Sequence, residues 1–256
     1  MFRMLKLNPP NGWRAVGWEL AIVTLGVLIA LGVQQLAEAD NWRSKVKDGQ
    51  ERLKAELLIN GAYMAEQVMV APCVKAQVDR ITARVEASKV ILDRSPLIPT
   101  GQGITTVRFP SRPWTAQTWE ALQQDGTSNH LPGVVQATLG QIFEKVTQLR
   151  DINVKSDDGL GKLRLLGQPI PLSPELKAEL LSVLWGQLQR SQAASLTASQ
   201  TLMLYRQIDF APTFDEIEAR QQALTPGRSG DLRTLQYCRS QGLPIADWRA
   251  DVENAR

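Results

Sequence analysis

At 256 residues the chain is long enough for one domain of around 200 residues plus an accessory segment. Aromatic residues make up 6%, with Gly 18 and Pro 14, the composition of an ordinary folded chain. The net charge of +3 is small, and Lys and Arg are offset by nearby acids, as in "RLKAE" and "VDRITARVE". No basic stripe interleaves with aromatics, so nucleic-acid binding is set aside.

Residues 1–14 carry Arg3, Lys6 and Arg14 and no acid, and form a basic N-terminal segment. Leu20 to Ala37 is then an uncharged run of 18 residues. Extended back to Ala15, with Glu19 at the entry interface, it reaches the length of about 20 that a spanning helix needs. The far flank opens with Glu38 and Asp40. The excess of cations before the span places the N-terminus in the cytoplasm and the chain beyond residue 40 outside it. A transmembrane helix over 15–38 is therefore predicted, with the lipid bilayer as its first partner.

A cleaved signal peptide is the rival reading, supported by the basic start and by "AEA" at residues 37–39. Against it, the uncharged run exceeds the usual apolar core of about 7–15 residues. The helical pattern also continues through "DNWRSKVKDGQERLKAELL" without a turn signal. Either way, the bulk of the chain is exported.

At 100° per residue, Glu19, Val23, Gly26, Ala30, Val33 and Ala37 share one face of the span. Gly26 and Ala30 form a small-x-x-x-small pair, which permits close helix approach in lipid. The functional expectation is self-association or docking on a larger membrane assembly. The plainer reading is that glycine and alanine are common in spans and that Glu19 reaches the headgroups.

The run "ELAIVTLGVLIALGVQQ", followed by a charged helix with Trp42, resembles a group of bacterial single-pass inner-membrane proteins with a domain of unknown function. Their anchors read Glu, mixed aliphatics, Gly-Ile/Val-Leu-Ile-Ala-Leu, polar amides and a tryptophan. The match covers Glu19 to Trp42, and "APC", "RPWxxxxW" and "YC" are similar to the proteobacterial branch. Gln34-Gln35 stands where asparagines are frequent in that group. The resemblance implies an inner-membrane protein with a helical periplasmic domain, and no activity.

Cys73 and Cys238 are the two cysteines, 165 residues apart, without CxxC or metal-ligand spacing. In an oxidising compartment they suggest one disulfide tying the start of the exported domain to its end. On chain entropy such a loop contributes about 5 kcal/mol. Two buried free thiols are the alternative.

Past the span, Val46, Leu53, Leu57 and Met64 keep helical spacing, and a stem helix is expected over 39–72, interrupted by Pro72. The pattern resumes from Val74 to Leu92 and ends at "RSPLIPTGQG". Residues 95–113 are the longest irregular stretch, with "ITTVRF" as one short strand lacking an obvious partner. Helices follow over 114–124, 134–154, 174–209, 213–224 and 232–239. "SDDGLGKLRLLGQPIP" and "TPGRSG" are read as loops, Ser173 as an N-cap and Thr213 with Glu216 as a capping box. The polar tail, 243–256, is expected to dock weakly or fray. The fold class is all-α: a transmembrane helix continuing into a stem, then a helical bundle over 73–242.

In "RPWTAQTW", Trp114 and Trp119 point about 140° apart on a helix. Arg112 is placed to stack on an indole. The segment is the candidate partner or ligand surface; the plainer reading has both tryptophans plugging the bundle. His130, the single histidine, lacks HxxE or HxxxH spacing and a nucleophile elbow. "SDDG" lacks the later ligands of a calcium loop, and "GQG" and "GLG" lack the phosphate-loop lysine and serine. The sequence thus leads to a non-enzymatic membrane-anchored protein without cofactor or metal, acting through protein contacts. A periplasmic sensory or small-ligand-binding bundle is the alternative.

Overall fold

The computed structural model describes residues 12–100, 103–224 and 234–254. The basic residues Arg3 and Lys6 and the "TPGRSG" loop lie outside them. The described residues form seven α-helices and four very short strands, an all-α protein. The chain divides into two units, Met1–Asp48 and Gly49–Arg256. The first helix, α1, runs Gly12–Ala87.

In the first unit, every residue from 17 to 40 is exposed except half-buried Gly32. The exposed face includes Trp18, Leu25, Leu28 and Leu36. This stretch is long and apolar enough to cross a membrane. Two of its polar side chains bond on the helix itself. The Thr24 hydroxyl donates to the Leu20 carbonyl (2.8 Å) and Gln34 Nε2 donates to Glu38 Oε1 (2.9 Å).

The second unit packs the remainder of α1 with α2 (Gln117–Gln124), α3 (Gly133–Leu163), α4 (Pro174–Tyr205), α5 (Phe214–Ala223), α6 (Thr234–Ser240) and α7 (Trp248–Asn254). α3 and α4 run antiparallel, cross-tied by Lys145 to Gln200 (3.1 Å) and Lys162 to Glu179 (3.8 Å), with Thr138 bonded to Gln207 just past the end of α4 (3.5 Å). Their caps match the residue chemistry. Ser173 Oγ accepts from Leu176 N (3.2 Å), with Pro174 at the first helical position. Thr213 and Glu216 exchange the two bonds of a capping box (2.8 and 3.2 Å).

Several expectations are corrected. Pro72 does not interrupt α1, which continues to Ala87. A proline cannot donate to the carbonyl four residues back and loosens that turn. Here the Ala246 N–H donates to the adjacent Met69 carbonyl (2.9 Å), supplying a bond from outside the helix. Second, α1 stops before residue 92: Ile91–Leu92 (β1) pairs antiparallel with Ile170–Pro171 (β4). Lys177 Nζ donates to the carbonyls of Glu86 (2.6 Å) and Ser88 (3.1 Å) where the helix ends. "ITTVRF" also finds a partner, as Gly103–Thr105 (β3) pairs with Ile98–Thr100 (β2).

Third, "SDDGLGKL" is helical, the last two turns of α3. Gly159 marks close packing and not a turn, because a Cβ there would lie 2.2 Å from Gln187 Nε2 and 2.8 Å from Arg190 Nη2 of α4. Finally, the tail docks. Trp248 and Val252 of α7 are 4% and 1% exposed, and Trp248 meets Phe214 edge-on with centroids 5.2 Å apart. Arg249 bridges to Asp215 (2.8 Å) and Glu218 of α5.

Trp248→Ala is expected to cost about 3–5 kcal/mol, the range for removing a buried large aromatic. Amide-exchange protection over residues 246–252 should fall with it. An unchanged melting temperature and unchanged exchange would mean that the tail is not docked.

Candidate functional site

The polar interior of the second unit is built on α1. Residues 106–116 run irregularly beside this helix, and a buried main chain without a ladder must find its partners elsewhere. Side chains of α1 supply them. Gln77 accepts from Arg108 N (2.8 Å), and its amide nitrogen reaches the Arg108 carbonyl (3.4 Å). Asn60 donates to the Thr115 carbonyl (2.8 Å) and accepts from Thr115 N (3.4 Å). Glu56 accepts from the Thr115 hydroxyl (2.8 Å) and Thr118 N (3.1 Å), so its carboxylate lies at the positive N-terminal end of α2. The Tyr205 hydroxyl donates to the Leu57 carbonyl (3.0 Å), and burial, then the Glu56 charge, push its pKa up.

Glu66 joins two parts of the chain to α1. Its side chain is fully buried, and Oε2 accepts from Arg112 Nε at 2.7 Å. Its other oxygen, Oε1, accepts from Leu235 N of α6 at 3.5 Å. Arg112 stacks over Tyr63 (5.6 Å to the centroid), not on an indole as the sequence suggested. Its carbonyl accepts from Asn153 Nδ2 of α3 (2.9 Å). One arginine thus ties the loop to α1 through its side chain and to α3 through its backbone.

The structure brings Arg112 and Trp114 together around Tyr63, whose ring meets Trp114 edge-on at 5.9 Å. Trp119 is apart from them, stacked on Phe143 at 5.9 Å. The two tryptophans are 6% and 5% exposed, so in this conformation they fill the core and present no surface to a partner. An open recess of about 350 Å³ lies elsewhere, lined by Leu97, Ile104 and Arg164.

Cys73 and Cys238 are both buried, with their sulfurs at disulfide distance, 2.03 Å, and Cα atoms 6.0 Å apart. They connect α1 to α6. Glu19, Val23, Ala30, Val33 and Ala37 are exposed in the first unit, and a Cβ added at Gly26 would meet nothing within 4 Å. His130 is exposed at the end of the turn Thr127–His130. Among the described residues, no three His, Cys, Asp or Glu side chains gather as metal ligands.

Sequence reading missed Glu56, Asn60, Glu66 and Gln77. Their spacing falls on two faces of α1: Glu56 and Asn60, four residues apart, lie beside Leu53, whereas Glu66 and Gln77, eleven apart, lie on the opposite side from Leu57 and Met64.

Arg112→Met should destabilise the fold by about 3–5 kcal/mol, because it leaves the Glu66 carboxylate buried without its cation. Glu66→Met combined with Arg112→Met should cost less than either single change, since no buried charge remains. Thermal unfolding in nonionic detergent measures both; a double variant no more stable than the singles would argue against the pair. Comparison with protein-family models, with curated proteins and with solved structures finds no match.

Proposed function

We propose that this chain is a non-enzymatic, single-pass inner-membrane protein whose helical periplasmic domain acts through protein contacts, as an accessory or structural subunit of a membrane assembly. The observation that carries the reading is the helical stretch around Leu20 to Ala37, uncharged and exposed throughout apart from half-buried Gly32. Apolar side chains facing outward all round a helix favour lipid over water. The basic segment before it and the acids after it support a cytoplasmic N-terminus. Two cysteines at disulfide distance support an oxidising compartment for the second unit.

Contact through the span rests on Gly26 and Ala30, whose face nothing in the first unit covers. Small residues there let a second helix approach closely, where packing drives association in lipid. The ligand-binding alternative asked for a cavity lined by Trp114 or Trp119 with Arg112. Those side chains are instead engaged with Tyr63, Glu66 and Phe143.

Chemical crosslinking in native membranes should trap a dimer or a larger species, and Gly26→Ile should weaken it several-fold. If no species forms with the wild-type chain, the span is an anchor alone. Alkylation before and after reduction gives the second check. Protein isolated from membranes should take up thiol reagent at Cys73 and Cys238 only after reduction. Labelling of both without reductant would remove the case for an oxidising compartment.

A further inference from the structure

Along each of the three long helices of the second unit, buried apolar residues lie on either side of a short stretch that carries buried polar side chains. One hydrophobic cluster holds Val70, Val74 and Val78 of α1 with Leu163, Leu184 and the Cys73–Cys238 pair. Other buried apolar residues, among them Leu57, Met64, Trp119, Phe143 and Leu202, lie outside that cluster. Where the two meet, all three long helices carry buried polar side chains: Glu66 and Gln67 on α1, Asn153 and Ser156 on α3, Gln187 and Ser191 on α4.

Contacts link these residues across the bundle. Glu66 pairs with Arg112, and the Arg112 carbonyl accepts from Asn153. Ser156, one turn further along α3, presents its carbonyl to Gln187 Nε2 at 2.7 Å. The layer is only half satisfied. Gln67 Nε2, Ser156 Oγ, Gln187 Oε1 and Ser191 Oγ are buried without a hydrogen-bond partner among the described residues. A half-satisfied polar network holds helices together less well than an apolar core of the same volume. Apolar side chains of similar size at the unpartnered positions would remove the unsatisfied groups from this level.

We propose that the layer is an opening plane. The half of the bundle containing Trp119, Phe143 and Leu202 separates transiently as a unit, while the half cross-linked by Cys73–Cys238 stays closed. Sub-global openings of this kind follow contiguous cooperative units bounded by weak contacts. The covalent link between α1 and α6 lies wholly within the half that stays closed, so it restrains that half and not its neighbour. Opening uncovers the aromatic residues that are buried in the closed bundle.

Hydrogen exchange of the full chain in lipid nanodiscs, followed by mass spectrometry, reads this directly. Peptides covering residues 139–149 and 194–205 should exchange together, at least tenfold faster than peptides covering 74–85 and 234–240. The variant Ser156→Ala/Gln187→Leu/Ser191→Ala should slow the fast half about tenfold and leave the slow half unchanged. Ser191→Ala alone, a milder change, should slow it about threefold. One common rate for both halves of the wild-type chain overturns the proposal. So does a fast half whose exchange neither variant slows.

Discussion

The second unit depends on one constraint: the main chain of residues 106–116 is largely buried without sheet or helix partners of its own. A few of its groups bond locally, as the Trp114 N–H does to the Arg112 carbonyl (2.9 Å). The others need partners from elsewhere, because leaving a buried donor unsatisfied costs about 1–3 kcal/mol. α1 supplies the partners from side chains, with Gln77 on Arg108, Asn60 on Thr115 and Glu56 on Thr115 and Thr118. This explains why a core-facing helix carries carboxylates and amides among its leucines. It also fixes the register of the loop, since amide and peptide groups match at only one offset. α2 inherits its position from that register, because its first turn is held by Glu56.

The C-terminal segment returns to the same helix at a different kind of defect. Pro72 weakens the hydrogen-bond ladder of α1, and the Ala246 N–H occupies a carbonyl beside the weakened turn. One residue from the proline, Cys73 meets Cys238; nearly two turns before it, Glu66 accepts from Leu235 N. A backbone bond, the sulfur pair and a carboxylate contact thus all fall within about two turns of α1. Arg249 closes the far end of the segment onto α5. Chain ends with polar sequence usually fray, and residues 243–254 are held because Trp248 and Val252 are buried in the core.

Local signals were legible in the sequence wherever a single element determines the outcome. Ser173 before Pro174, and Thr213 three residues before Glu216, mark helix starts because the capping bonds span only a few residues. The apolar spacing of Leu139, Ile142, Phe143, Val146 and Leu149 gave α3 for the same reason. What could not be read required knowledge of a distant neighbour. Gly159 reads as a breaker until Gln187 and Arg190 are placed against it. Pro72 reads as a stop until the tail is placed beside Met69. Glu66 reads as a solvent-facing acid until Arg112, 46 residues away, is brought over it. Arg112 was expected to stack on an indole, but its ring partner is Tyr63, which no local pattern connects to it.

The two units expose apolar surface in different ways. Between Trp18 and Leu36 large apolar side chains are exposed at most positions, all round the helix, whereas in the second unit exposed ones such as Val134, Trp185 and Leu196 are scattered. Scattered apolar residues are normal on a surface facing water, while a continuous apolar cylinder is not. Inside that cylinder the hydroxyl of Thr24 and the amide of Gln34 are already satisfied on their own helix. Those two side chains therefore call for no interhelical hydrogen bond. An association through it would have to come from close backbone approach, which Gly26 and Ala30 allow and a branched side chain at either position would prevent.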